Sequence, residues 1–212
     1  MNKHILIIGG GGHAKVLINC LLLNRVSILG ILEADTSRVG QEILGVSIIG
    51  SDDAVFQYNP SEVSLVNAIG STKSLALRTN IFKKFKNRGY SFSSIVHPSA
   101  VVAADVMAGE GVQIMAGAII QPGCCLGNNV IINTKASIDH DCKIEDHVHV
   151  APGTTVSGGV VIGAGSHIGT GTVIIQNVTI GKNSTTGAGA IVVNNVPNDV
   201  VVVGGPARVI TQ

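Results

Sequence analysis

Residues 126–174 read LGNNVIINTKASIDHDCKIEDHVHVAPGTTVSGGVVIGAGSHIGTGTVI, and a large aliphatic returns at every sixth position: Leu126, Ile132, Ile138, Ile144, Val150, Val156, Ile162, Ile168 and Ile174. Two residues before each stands a small side chain or a valine, from Cys124 and Val130 through Ala136, Cys142 and Val148 to Thr172. An amphipathic helix needs a period near 3.6 and a simple strand a period of 2, so a strict six with one large and one small inward position fits neither. It fits a coil of short strands joined by tight turns, the hexapeptide β-helix repeat.

The pattern extends in both directions. From Val96 to Val192 it occupies 17 positions without an insertion, and only Ala108 and Thr186 are not Val, Ile or Leu. The small series runs beside it from Ser94 to Ala190. Three hexads close a triangular coil of 18 residues, so the run predicts about five and a half parallel coils stacked roughly 4.8 Å apart. Each inward aliphatic then packs on the residue 18 positions away. A glycine follows the aliphatic at Gly109, Gly127, Gly163, Gly169, Gly181 and Gly187, where a turn needing a relaxed φ is expected. A glycine-rich β-sandwich would not keep register for a hundred residues.

Composition breaks before the repeat begins. All six aromatics and 16 of the 27 charged residues precede residue 93, which divides the chain into residues 1–94 and 95–212. The first part alternates a β run at His4–Ile8, a helical pattern at His13–Leu23, β runs at Ser27–Leu32 and Glu62–Ile69, and a basic amphipathic helix near Leu75–Arg88. That is a small parallel α/β unit. Its first strand leads into Gly9, Gly11 and Ala14, a G-x-G-x-x-A loop opening a helix, with Glu33 and Asp35 about twenty residues on. Backbone N–H groups there suit a pyrophosphate, and a carboxylate suits a ribose or sugar hydroxyl. A nicotinamide dinucleotide is the rival ligand, but so short a unit supplies one mononucleotide-binding half.

Net charge is +1 with 13% charged residues, which leaves no basic field for nucleic acid or an anionic membrane. No apolar run reaches the roughly 18 residues of a membrane span, and the N-terminus enters a strand without a cleavable signal pattern, so the expectation is a cytoplasmic protein. Cys20, Cys124, Cys125 and Cys142 form no CxxC and read as reduced filler. Cys124 and Cys142 fall on the inward small series and face the core; Cys125 points outward.

Of seven histidines, His140 stands apart because Asp139 and Asp141 bracket it beside a turn. A carboxylate there orients the imidazole and stabilises its protonated form. His149 and His167 are 18 apart and stack on one face, whereas His140 and His149 are half a coil apart and point from opposite sides of one prism. If both serve one reaction, the site lies between neighbouring β-helices, which favours an oligomer. A metal reading would recruit His147, His149 and His167, but no nearby carboxylate or fourth ligand completes the set.

With these residues in view the chain resembles the hexapeptide-repeat sugar acetyltransferases, in particular the bacterial UDP-4-amino-sugar N-acetyltransferases and their sialic acid O-acetyltransferase relatives. The matching segments are Ile7-Ile8-Gly9-Gly10-Gly11-Gly12-His13, His97-Pro98-Ser99-Ala100, Asn133-Thr134-Lys135-Ala136-Ser137-Ile138-Asp139-His140-Asp141 and Gly204-Gly205-Pro206-Ala207-Arg208. The resemblance implies a Rossmann-like nucleotide-sugar domain over residues 1–94, a left-handed parallel β-helix that binds acetyl-CoA over 95–212, and a homotrimer. It implies His140 as general base and Asp141 as its orienting acid. For acetyl-CoA, the co-substrate, it implies His149, Gly158, Thr170 and Ala188; for the UDP-linked amino sugar, Gly9, Gly11, Gly12, His13, Gly70, Ser71 and Asn133 beside Glu33 and Asp35. No metal is expected. The activity it implies is N-acetylation of a UDP-4-amino-4,6-dideoxyhexose for a surface or protein glycan. O-acetylation of sialic acid or a related sugar, and a non-catalytic sugar-nucleotide scaffold, are the alternatives.

Overall fold

The computed structural model describes residues 3–71 and 74–210. Its contacts divide the chain into two compact units, one ending at Pro98 and the other beginning at Ser99.

In the first unit β1 (His4–Ile8) leads into α1 (Gly12–Leu23), then β2 (Ile28–Leu32), a short hairpin of β3 (Glu42–Ile43) and β4 (Val46–Gly50), β5 (Val63–Asn67), α2 (Ala76–Lys86) and β6 (Ser91–Phe92). The sheet order is β3-β4-β2-β1-β5-β6, parallel throughout except for the β3–β4 pair. The central strand β1 is buried on both faces from Ile5 onward, which is why its sequence is a continuous aliphatic run and does not alternate. Between β2 and β5 the hydrophobic pattern marks no element, yet the structure holds the β3–β4 hairpin and 3₁₀ turns at Thr36–Arg38 and Asp52–Gln57. These segments are too short to display a period. Strand order reverses between β1 and β5, so their carboxyl ends open a crevice of the kind that binds ligands in α/β sheets. Aromatics fill the core behind them. The Phe82 and Phe92 rings stack at 4.6 Å, and the Tyr90 hydroxyl donates to the carbonyls of Val55 and Tyr58.

The second unit is the predicted coil. Two-residue strands recur every six residues from Val101–Val102 to Ile191–Val192, and each as far as Val173–Ile174 pairs in parallel with the strand 18 residues on, as in Ile119↔Ser137↔Thr155↔Val173↔Ile191. Three flat faces result, and we name them by the outward residue of one rung. The Ser137 face is that column, the Lys143 face contains Cys125, Lys143 and Val161, and the His149 face contains Gln113, Ile131, His149, His167 and Thr185. From Ile114 to Val192 every large inward residue is buried, and so is every small one from Val112 to Ala190.

One expectation needs correction. The glycines after the large aliphatics are not the left-handed turn residues. Positive φ falls two positions later, at every sixth residue from Gly111 to Gly189, and Asn129, Lys135, Asp141, His147, Asn177 and Asn183 share that series with eight glycines. Gly109, Gly127, Gly163, Gly169 and Gly181 are required for a different reason: a Cβ there would run into the backbone of the next coil, 2.8 Å from Gly127 C in the first case and 2.7 Å from Lys182 N in the third. Close approach, and not backbone torsion, selects glycine at these corners.

The small inward series also does more than fill space. Cys124 Sγ donates to Asp139 O, Cys142 Sγ to Ser157 O, Thr154 Oγ1 to Gly169 O, Ser166 Oγ to Gly181 O and Thr172 Oγ1 to Gly187 O. Each bond spans 15 residues and satisfies a corner carbonyl of the next coil, which inside the prism has no water to turn to. The last coil is shortened: Thr185 pairs with Val201, 16 residues on, and Val201–Val203 is covered by the antiparallel strand Arg208–Ile210.

Candidate active site

His140 lies in the turn between Ser137–Ile138 and Lys143–Ile144, hence on the edge shared by the Ser137 and Lys143 faces. Asp141 takes the left-handed position there, with φ +60°, a conformation that aspartate tolerates better than most residues. Its Oδ2 is 2.8 Å from His140 Nδ1, and Asp139 Oδ1 accepts the His140 backbone N–H at 2.8 Å. A carboxylate can only accept, so Nδ1 carries the proton and Nε2 is the basic nitrogen of the neutral ring. The hydrogen bond to Asp141, then the charge of Asp139, raise the imidazole pKa above its ordinary value. The His140 side chain is 62% exposed.

Gly158 stands one coil above His140 on the same edge. Thr170 and Ala188 are exposed on a different edge, between the His149 and Ser137 faces, and are stacked one coil apart. Asn133 belongs to that second edge, and its Nδ2 donates to His149 Nε2 at 3.0 Å while its Oδ1 accepts the Thr134 N–H at 2.8 Å. His149 is buried, and its ring meets the His167 ring edge-on at 4.9 Å. Burial lowers the His167 pKa. His147 occupies the third edge, where its Nδ1 is 3.0 Å from Asn129 Nδ2. Within one chain, then, His140, Asp141 and Gly158 form one group, and Asn133, His149, Thr170 and Ala188 lie on or beside another edge. Among the described residues no three His, Cys, Asp or Glu side chains are arranged to hold a metal ion. Cys124 and Cys142 are buried in the prism, and burial pushes the Cys142 thiol up to about 11, the opposite of an activated nucleophile.

In the first unit the two loops of the crevice meet. Gly9 has φ +96° and donates its N–H to Leu32 O at 2.7 Å, and a Cβ on it would lie 2.7 Å from Ile69 Cδ1. Gly11 is the N-cap of α1 with no side-chain cap, and nothing stands within 4 Å of where a Cβ on Gly11 or Gly12 would be. A Cβ on Gly70 would come within 3.6 Å of His13 Cβ, so the loops after β1 and β5 bring His13 and Gly70 side by side, with Ser71 buried next to them. Glu33 and Asp35 do more local work than the sequence suggests. Glu33 Oε2 accepts the Gly10 N–H at 2.7 Å and pairs with Arg38 Nη1 at 3.2 Å, while Asp35 caps the 3₁₀ turn through Ser37, whose hydrogen bonds lower its pKa.

Two further residues escape a sequence reading. Arg38 also donates to Gly10 O at 3.1 Å, so it ties the glycine loop to Glu33. Arg78 sits on the basic helix α2 yet is fully buried; Nη1 donates to Asn67 O and Ile69 O, at 2.7 and 3.0 Å, and burial lowers its pKa to about 9. It remains a cation at neutral pH, held against the β5 loop. A lone arginine in a basic amphipathic helix carries no signal that distinguishes it from its solvated neighbours.

Comparison with known proteins gives two family-model matches, the PglD N-terminal domain over residues 4–85 and the bacterial transferase hexapeptide over residues 126–158. No curated protein matches. Among solved structures, a histidine-to-asparagine variant of perosamine N-acetyltransferase from Caulobacter crescentus, in complex with CoA and GDP-perosamine, is 37% identical with a TM-score of 0.92, over 100% of this chain and 99% of that one. The acetyltransferase domain of PglB from Neisseria gonorrhoeae, in complex with acetyl coenzyme A, is 32% identical with a TM-score of 0.91, over 99% and 100%. WeeI from Acinetobacter baumannii shares the fold at 24% identity and a TM-score of 0.84, over 99% and 100%.

Proposed function

The chain belongs to the hexapeptide-repeat sugar N-acetyltransferases, with a Rossmann-like unit before a left-handed β-helix and acetyl-CoA as co-substrate, and from that premise we propose that it acetylates the amine of a nucleotide-linked amino sugar with His140 as general base. The observation that carries the reading is the Asp141–His140 pair on an exposed edge, which fixes the tautomer and leaves Nε2 as the basic nitrogen of an exposed ring. Acetyl-CoA supplies an activated acyl carbonyl. His140 Nε2 takes the proton from the attacking amine as the N–C bond forms, and the C–S bond then breaks as the protonated ring passes that proton to the departing sulfur, releasing the thiol of CoA and restoring the base. Backbone N–H groups beside the turn stabilise the oxyanion. Loss of a general base of this kind costs roughly 10² to 10⁴ in rate.

The nucleotide sugar is proposed to sit in the crevice of the first unit, taken as residues 1–94, on Gly9, Gly11, Gly12, His13, Gly70 and Ser71. Glu33 and Arg38 shape the loop from behind, and Asp35 lies beside them. His149, Thr170 and Ala188 on or beside the second edge, and the backbone of Gly158 beside His140, are proposed to receive acetyl-CoA, and Asn133 is proposed to meet the acceptor. Since His140 is on another edge of the same prism, the full site requires a neighbouring subunit, and we propose the homotrimer on that ground. A cytoplasmic location belongs to the same reading; among the described residues no helix is long and apolar enough to cross a membrane.

The acceptor follows in two versions. A UDP-linked 4-amino-4,6-dideoxyhexose is the expectation drawn from the sequence, and a GDP-linked amino sugar is favoured by the 37% identical relative crystallised with GDP-perosamine. The test offers acetyl-CoA with each nucleotide amino sugar and looks by mass spectrometry for the gain of one acetyl group. Because a ligand that binds only the folded chain raises its melting temperature, UDP and GDP are compared in the same thermal assay. The base that shifts the transition identifies the acceptor. His140→Ala should slow the mass gain by roughly 10²- to 10⁴-fold while sedimentation still reports a trimer; near-wild-type turnover would remove His140 from the mechanism.

A further inference from the structure

The ring of His140 is braced at two ends. Asp141 holds Nδ1, and on the far side the ring edge abuts Gly158, where a Cβ would lie 2.6 Å from Nε2, 2.7 Å from Cε1 and 3.1 Å from Cδ2. Gly158 does not adopt a left-handed φ, unlike its neighbour Gly159 at +69°, so its backbone would accept alanine. Nor does the next coil block it, as happens at Gly109 or Gly163. The three nearest atoms all belong to one exposed imidazole that can swing away. Alanine at this position would therefore cost the fold little and would cost the ring its seat.

We propose that Gly158 is a positioning residue for the transfer reaction: its missing side chain is the seat that sets where His140 Nε2 stands. To restore ordinary van der Waals contact with a Cβ, the ring would have to retreat by roughly 0.8 Å. A base must come within about 2.6–3.2 Å of the proton it takes, and misplacement by about 1 Å can cost on the order of 10²-fold. A retreating ring also strains its bond to Asp141, which together with Asp139 supplies the nearest charge at this edge; Pro122 one coil below and Gly158 one coil above carry none, and Asp105 stands two coils below, where it accepts the Gly123 N–H. The inference rests on the reading of His140 as general base.

Gly158→Ala is expected to keep the wild-type melting temperature and the wild-type KM for acetyl-CoA, to lose 10- to 100-fold in kcat, and to move the acidic limb of its pH–rate profile to lower pH. In a His140→Ala background the same substitution should have no further effect on rate, because its action passes through the ring. An acetyl-CoA KM that rises while kcat holds would overturn the proposal in favour of a direct contact with the co-substrate. So would a chain that fails to fold, since the atoms in the way are required to belong to a side chain free to move. If His140→Ala is inactive and Gly158→Ala behaves as wild type, the seat is disproved and the base survives; if His140→Ala itself is active, the base reading fails first.

Discussion

At the scale of single residues, the chemistry of His140 is written in its sequence neighbours, and this explains why it could be read without coordinates. Asp139 and Asp141 adjoin it in the chain, and the turn brings the second onto Nδ1 at 2.8 Å. Because both acids stabilise the protonated ring, its pKa lies above the ordinary histidine value, so the base form accumulates, and the rate rises, only as pH climbs through that raised value. Asp141→Asn should remove the larger of the two effects. The expected result is an acidic limb displaced toward lower pH together with a reduced kcat plateau, measured as kcat against pH; an unmoved limb would disconnect Asp141 from the base. Partners distant in sequence stayed hidden. Asn133 reaches His149 across 16 residues, Gly158 meets His140 across 18, and Arg38 returns to Gly10 across 28. Such pairs exist only once the coil or the sheet has closed.

At the scale of the hexad, the fold was legible because the inward pattern repeats locally and each step needs only its own six residues. The turn was read less well. Glycine alone does not mark the turn position, because two physical demands, a left-handed torsion and a bare Cα against the next coil, fall two residues apart and both favour it. The torsional series admits Asn and Asp readily, which a search for glycine overlooks. Lys135 and His147 are the exceptions; histidine, like Asn and Asp, tolerates the torsion, whereas Lys135 holds φ +57° at a cost, in a column where Gly117, Gly153, Gly171 and Gly189 precede and follow it. A left-handed torsion costs an ordinary residue roughly 1–2 kcal/mol, partly offset by the greater freedom of glycine in the unfolded chain. Lys135→Gly is therefore expected to stabilise the protein by about 1 kcal/mol in urea unfolding. Destabilisation would mean that the lysine side chain contributes more than its torsion costs.

At the scale of the molecule, the two units follow different rules. The first gathers its aromatics into a globular core under a reversing sheet; the second has none and is held by a column of aliphatics with hydroxyls and thiols tucked between coils. A stack of this kind has no intrinsic length. Each rung presents a row of unpaired N–H and C=O groups to whatever comes next, and a second molecule offers the same row. Here the register that had advanced by 18 is cut to 16 between Thr185 and Val201, and Arg208–Ile210 turns back against Val201–Val203. The final rung thus faces outward with the wrong spacing and a strand already in place, so the molecule carries its own stopper. Chains ending at Gly204 would lose it. They should join end to end into rods, visible as light scattering that grows with protein concentration while the intact chain stays discrete.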